Sequence, residues 1–141
     1  IQRYGTIRAR LFALHATVII GIGIDRVVIA RIGRSHQRFG ERFIRHCFTA
    51  DEYALACAKQ PVERRLAMFF AAKEAVSKAL GTGFVGVSPS HIEVYYHPSG
   101  QPAVRLHASA QQTADALAMK SIHLSLTDDD GIAMAFAVAE S

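Results

Sequence analysis

A few residues of this chain have the types and spacing to do chemistry together. Asp25 closes an apolar, β-branched run, Thr17-Val-Ile-Ile-Gly-Ile-Gly-Ile24. Glu74 and Lys78 lie one helical turn apart, and Gly81-Thr82-Gly83 follows soon after. Two carboxylates are hard oxygen ligands that leave positions open for water and phosphate, which suits Mg²⁺. An ammonium one turn beyond Glu74 suits a phosphate, and a glycine turn with free backbone N–H groups suits another. Metal, lysine and amide donors around phosphate describe a phosphoryl-type transfer. Each part also has a plainer reading. Glu74 four residues before Lys78 is the favoured orientation of a surface ion pair, stabilising by about 0.2–0.5 kcal/mol. Asp25 at a strand end, taken alone, reads more readily as a cap for the next helix than as a ligand.

These groups need elements to hold them. Arg65 to Leu80 reads as one helix, with Glu63 or Arg64 at its start after Pro61, ending in the glycine loop. At about 100° per residue, Phe69, Ala72, Val76 and Leu80 share one face, and Glu74, Ser77 and Lys78 share the opposite one. Phe70, Ala71, Ala75 and Ala79 narrow the polar strip, so the helix is apolar almost all round and is expected to be buried. Lys73, Glu74 and Lys78 then lie in or near an interior, where charges need partners. The run Thr17–Ile24 is expected to be a buried strand whose two glycines permit close backbone approach.

The remaining chain frames these two elements. Arg26–Gly33 reads as a short helix carrying Arg31. Arg34–Cys47 is basic, with Arg38 and Arg42 on one face and no acid to pair them. Thr49-Ala-Asp-Glu52 is a capping box that starts a helix running to about Lys59. Ile92–Tyr96 and Ala103–His107 read as strands joined by a hairpin turn through Ser99, Gly100 and Pro102. Ala108–Met119 reads as a helix, Ile122–Leu126 as a strand, Thr127–Gly131 as a turn, and Ile132–Ala139 as a closing strand of small side chains. The order predicts an α+β single domain, a mainly antiparallel sheet packed on a long central helix.

Bulk properties narrow the class. With 141 residues, 50% hydrophobic and 20% charged, the chain is one folded domain. Residues 1–46 carry nine basic and two acidic residues, a net +7, while residues 47–141 carry seven and ten, a net −3. The basic third therefore faces an acidic partner. Nucleic acid is disfavoured, because no basic run interleaves with aromatics and no zinc spacing occurs. Cys47 and Cys57 read as reduced residues and the histidines show no ligand spacing. Arg8 and Arg10 before Leu11–Ile24 imitate a secretory leader, but His15 interrupts the apolar run and no small-x-small site follows. The run is too short to span a bilayer. A cytoplasmic protein is expected, with residues 1–16 an N-terminal extension or cloning remnant and 17–141 the domain.

The sequence motifs resemble those of a known family. Gly21-Ile-Gly-Ile-Asp25 with Arg31 beyond it is similar to the opening motif of the holo-acyl-carrier-protein synthases. Phe70-Ala-Ala-Lys-Glu-Ala-Val-Ser-Lys-Ala-Leu-Gly-Thr-Gly83 resembles the second motif, which is highly specific, and Ile122-His-Leu-Ser-Leu-Thr-Asp128 the third. The likeness runs from about Val18 to Glu140, and nothing before Thr17 matches. It implies the 4′-phosphopantetheinyl transferase fold and transfer of 4′-phosphopantetheine from coenzyme A to a serine of an acyl carrier protein, leaving adenosine 3′,5′-bisphosphate. By the same likeness Asp25 and Glu74 match Mg²⁺ ligands and Lys78 a lysine on the phosphates. Gly81, Thr82 and Gly83 match the loop around the nucleotide end, and Ser99, Gly100 and Pro102 a turn at the adenine. Arg31, Arg38 and Arg42 match helices that receive the carrier, and a homotrimer with sites between subunits is implied. Two positions depart from the pattern. Phe69 replaces a usual arginine, which removes a phosphate or structural contact and leaves a non-catalytic carrier-binding module as the alternative. Asp128 replaces a common histidine, where an acid can position water or accept a proton.

Overall fold

The computed structural model describes residues 16–141, so the reading of residues 1–15 lies outside the described residues. Strand β1 (Ile19–Val28) leads into helices α1 (Ile29–Phe39), α2 (Glu41–Cys47), α3 (Ala50–Cys57) and the central helix α4 (Val62–Ala79). A short 3₁₀ turn at Pro89–His91 precedes the hairpin β2 (Ile92–Tyr96) and β3 (Pro102–Leu106). Helix α5 (Ala108–Ala116) and strands β4 (Ser121–Asp129) and β5 (Ile132–Glu140) complete the chain. The strands form two antiparallel sheets, β1-β5-β4 and β2-β3. Among the described residues, no helix is long and apolar enough to cross a membrane.

Small side chains bring the central helix onto the larger sheet. Ala133, Ala135, Ala137 and Ala139 alternate along β5 and are all buried, as are Ala71, Ala72, Ala75 and Ala79 of α4, the helix that packs on this strand. On β1, Gly21 and Gly23 continue that stripe. A Cβ at Gly23 would sit 1.8 Å from the Ala75 carbonyl oxygen, and one at Gly21 would sit 1.9 Å from that of Ala79. The obstacle is backbone, which cannot swing away. Gly23→Ala is therefore expected to destabilise at the upper end of the roughly 1–3 kcal/mol typical of overpacking. A urea-denaturation midpoint equal to that of the unaltered protein would show that helix and strand are not held this close.

Several expected boundaries move. The strand read as buried is buried on one side only: Ile22 and Ile24 are 63% and 57% exposed, with Val28, Met134 and Phe136 beside them on the same outer face. The face of this run under α4 is formed by Gly21 and Gly23, so its branched side chains Ile22 and Ile24 point to the outer face, which nothing in one chain covers. Asp25 does not end the strand, which continues to Val28. The next helix begins at Ile29 without a side-chain cap, which removes the capping reading of Asp25. Gly40, at φ +54°, separates α1 from α2, so Arg38 and Arg42 stand on different helices. Glu41 pairs with Arg45 at 3.1 Å, so that segment does contain a paired acid. The turn expected over Thr127–Gly131 is only Asp130-Gly131, both at positive φ as a two-residue hairpin demands, and β4 runs through Asp128.

The capping box is present in full. Thr49 Oγ1 accepts from Glu52 N–H at 3.2 Å, and Glu52 Oε1 accepts from Thr49 N–H at 2.9 Å. Glu52 is nevertheless fully buried, and it also receives Lys73 Nζ at 2.7 Å. Cys47 and Cys57 are free thiols.

Candidate active site

The central helix is buried almost all round, as its pattern predicts: ten of its eighteen residues are buried, including Lys73 and Ser77. Its one open sector near the C-terminal end carries Glu74 and Lys78. Strand β1 crosses this sector from Gly21, under Ala79, to Asp25. Lys78 Nζ donates to Ile24 O at 2.8 Å and to Asp25 Oδ1 at 3.1 Å. The lysine is half-exposed rather than interior, and its partner is Asp25 rather than Glu74. Burial first, then the charge of Asp25, pushes the Glu74 carboxyl above the usual carboxylate range, while Lys78 and Arg31 pull it down. The fold thus gathers Asp25, Glu74, Lys78 and Arg31 from β1, α4 and α1. A cleft of about 220 Å³ lies beside them, lined by Ile24, Asp25, Arg26, Lys78 and Met134.

The donor set fits a hard divalent cation. Two carboxylates repel each other, and a cation between them would relieve that repulsion. Among the described residues no group of three or more His, Cys, Asp or Glu side chains is close enough to hold a metal ion. A pair of carboxylates with phosphate oxygens completing the shell is the Mg²⁺ pattern, not that of a closed structural site.

The glycine loop is built differently from the expectation. Gly81, at φ +79°, donates its N–H to Lys78 O, and the N–H groups of Thr82 and Gly83 both donate to Ser77 O, at 3.2 and 3.1 Å. These bonds cap the helix C-terminus, where carbonyls otherwise lack donors. The three amides are therefore committed and do not form an anion cradle. Thr82 Oγ1 donates to Gly83 O.

Asp128 is not gathered with Asp25 and Glu74. Strand β5 lies between β1 and β4, so Asp128 meets Arg64 at the start of α4 instead. Arg64 Nε and Nη2 donate to its two oxygens, both at 2.7 Å. This fork holds the Asp128 carboxyl below its ordinary range, which weakens it as a proton acceptor. The Ser99-Gly100 turn is also remote. Tyr96, at the end of β2, packs against Arg65 and Phe69 in the N-terminal half of α4. Lys78 lies about 13 Å farther along the helix axis than Phe69. Gly100, at φ +89°, lets the turn close, and Pro102 begins β3.

Phe69 is fully buried, its ring 6.1 Å from that of Tyr96. It is a core residue, not a vacant place beside a nucleotide. Arg31 and Arg38 line one groove with Arg34 and Phe39, while Arg42 lines a second with Arg45, His46 and Phe39. Phe39, 50% exposed, joins the two grooves. Two residues were missed by sequence reasoning in these roles: Arg64, the partner of Asp128, and Glu52, the partner of Lys73. Only the buried ammonium of Lys73 signalled that a partner must exist.

The chain is also similar to known proteins. The sequence model of the 4′-phosphopantetheinyl transferase superfamily matches residues 21–137. The chain belongs to this superfamily. Within it, the chain is similar to holo-[acyl-carrier-protein] synthases. It is 43% identical to that of Sinorhizobium fredii over 129 residues, spanning 88% of this chain and 93% of the relative. The fold matches the crystal structure of the Neisseria meningitidis synthase with a TM-score of 0.81 at 33% identity, covering 88% of this chain and all of that one. It also matches the Helicobacter pylori synthase in complex with coenzyme A, with a TM-score of 0.75 at 34% identity, over 84% of this chain and 98% of that one. The chain is an enzyme of this family.

Proposed function

We propose that this enzyme moves 4′-phosphopantetheine from coenzyme A to a serine of apo acyl carrier protein, with Mg²⁺, releasing adenosine 3′,5′-bisphosphate. The observation that carries the reading is the convergence of Asp25, Glu74 and Lys78, the family's motif residues: Lys78 bonds Asp25 at a cleft that both line, and Glu74 lies within reach of both charges. The coenzyme A complex of the Helicobacter pylori relative supports the donor. Asp25 and Glu74 would hold Mg²⁺, which would neutralise charge building on the diphosphate. Lys78 sits where its ammonium can reach the same phosphates.

In the transfer, the carrier serine oxygen bonds to the β-phosphorus and the bond from that phosphorus to the bridging oxygen breaks. The bisphosphate leaves with that oxygen. The serine proton passes to a water held by Glu74, since Asp128 is committed to Arg64. The paired grooves around Phe39, with Arg31, Arg38 and Arg42, offer the acidic carrier a cationic surface with an apolar centre. The Gly81-Thr82-Gly83 loop, three residues beyond Lys78, would wrap the nucleotide end through its shape rather than its amides, and the Ser99-Gly100-Pro102 turn would serve the adenine of a neighbouring subunit's site. A homotrimer fits the exposed outer face of β1 and β5, where Ile22, Ile24, Val28, Met134 and Phe136 leave an apolar patch for another copy. The carrier-binding module without chemistry loses its main ground, because Phe69 is a core residue.

Intact-mass spectrometry of an apo carrier protein tests the reaction. Incubated with enzyme, coenzyme A and Mg²⁺, the carrier gains the mass of one phosphopantetheine arm, and EDTA abolishes the gain. No gain across several carrier proteins, from a folded enzyme, would overturn the reading.

A further inference from the structure

Lys78 stands in an unusual relation to the carboxylate it neutralises. Its ammonium does not reach across the helix turn to Glu74 but spans 53 residues of sequence to Asp25, and takes the Ile24 carbonyl as a second partner. A divalent cation arriving at Asp25 and Glu74 therefore meets a site already holding a positive charge, hydrogen-bonded to the oxygen it needs. The contact is half open to solvent, with Lys78 49% exposed, so it is weak and easily exchanged. A lysine ammonium on its flexible stem is the side chain best suited to such an exchange, since it needs no fixed hydrogen-bond fork. A diphosphate offers it a stronger, doubly charged partner within reach of the same cleft.

We propose that Lys78 is a built-in placeholder for the cation: it covers Asp25 while the site is empty and releases it when a diphosphate draws the ammonium away. The inference rests on the reading that Asp25 and Glu74 hold the metal. Its consequence is an order of assembly. Free metal binds poorly, and metal and coenzyme A favour each other by more than their direct contact, because each removes an obstacle to the other. Such coupling is reciprocal and can be read from either ligand.

Mn²⁺ serves as the probe, its free concentration read by electron paramagnetic resonance during titration of the folded enzyme at low salt. In the absence of coenzyme A, Lys78→Met is expected to bind Mn²⁺ about tenfold more tightly than the unaltered protein, from the loss of one nearby positive charge and one competitor. Lys78→Arg, which keeps the charge, is expected to stay within about threefold of it. Adding coenzyme A should strengthen Mn²⁺ binding in the unaltered protein by a larger factor than in Lys78→Met. Asp25→Asn should abolish the gain made by Lys78→Met. If Lys78→Met binds Mn²⁺ equally or more weakly, while binding still depends on Asp25, the placeholder is refuted and the metal site stands. If no variant binds Mn²⁺ with or without coenzyme A, the metal-site reading itself fails and the placeholder fails with it.

Discussion

Lys73→Met is expected to destabilise the enzyme by about 3–5 kcal/mol, the range for breaking a buried ion pair by removing one partner. Lys73 and Glu52 are both fully enclosed. The ammonium donates to Glu52 Oε1 at 2.7 Å, to Pro89 O at 3.0 Å and to Ile92 O at 2.5 Å. Glu52 accepts in turn from Thr49 N–H and, through Oε2, from Val94 N–H at 2.9 Å. Three donors converge on one carboxylate and three acceptors on one ammonium, so α3, α4 and the start of β2 are tied together. Burial alone drives the Lys73 ammonium toward its neutral form, and the charge of Glu52 opposes this. Removing the lysine leaves Glu52 charged in the interior with only amide donors, and strands the Ile92 carbonyl, while Pro89 O keeps the Ile92 N–H. Methionine fills the volume and keeps helix propensity, so the loss is electrostatic rather than steric. The double variant Glu52→Gln with Lys73→Met should recover part of the loss, because no charge remains buried. Urea denaturation monitored by circular dichroism reads both. A single variant as stable as the unaltered protein would show that the pair does not organise this core.

The same network marks where sequence reasoning reached and where it stopped. The central helix was legible because its pattern is local: Phe69, Ala72, Val76 and Leu80 follow the helical period and all lie in the core. The Thr49–Glu52 box was legible because capping chemistry fixes its spacing. Gly21 and Gly23 signalled close approach, and the helix backbone is what approaches. What failed depends either on partners distant in sequence or on local backbone geometry. Glu52 reads only as a cap, which it is, because its second partner is 21 residues away. Asp128 reads as part of a turn because three consecutive aspartates look like one, yet it pairs with Ala133 across the hairpin and meets Arg64. Arg38 and Arg42 are four apart, but one positive φ at Gly40 breaks the helix that would align them. The glycine loop has the composition of an anion cradle and the hydrogen bonds of a helix cap. In this chain the motif residues were readable one by one. The grouping of Asp25, Glu74 and Lys78 is legible too; the pairing of Lys78 with Asp25 rather than Glu74, and the approach of Arg31, required the fold.

Glu74→Ala is expected to lower the rate of carrier modification by about 10²–10³-fold, the scale for removing one preorganised group that stabilises developing charge. The fold should not suffer, and this separates a functional carboxylate from a structural one. Glu74 has its carboxyl raised by burial and by the charge of Asp25, so in the folded protein its charged form is held at a cost. A carboxyl raised in the folded state binds its proton more tightly than in the unfolded chain, so its contribution to stability falls as pH rises through the folded-state value. Above that value, alanine removes an unfavourable charge and adds a better helix former within α4. The melting temperature of Glu74→Ala near neutral pH should therefore equal or exceed that of the unaltered enzyme. The advantage should shrink as pH is lowered and Glu74 takes up its proton. A matched loss of activity and stability would instead mean that Glu74 holds the helix in place. A rate unchanged under saturating Mg²⁺ and coenzyme A would remove it from the metal site altogether. Strain of this kind persists at a position because the chemistry needs it. Here two like charges are set side by side, next to a lysine that half-cancels one of them, and a divalent cation bound with a diphosphate would satisfy all three.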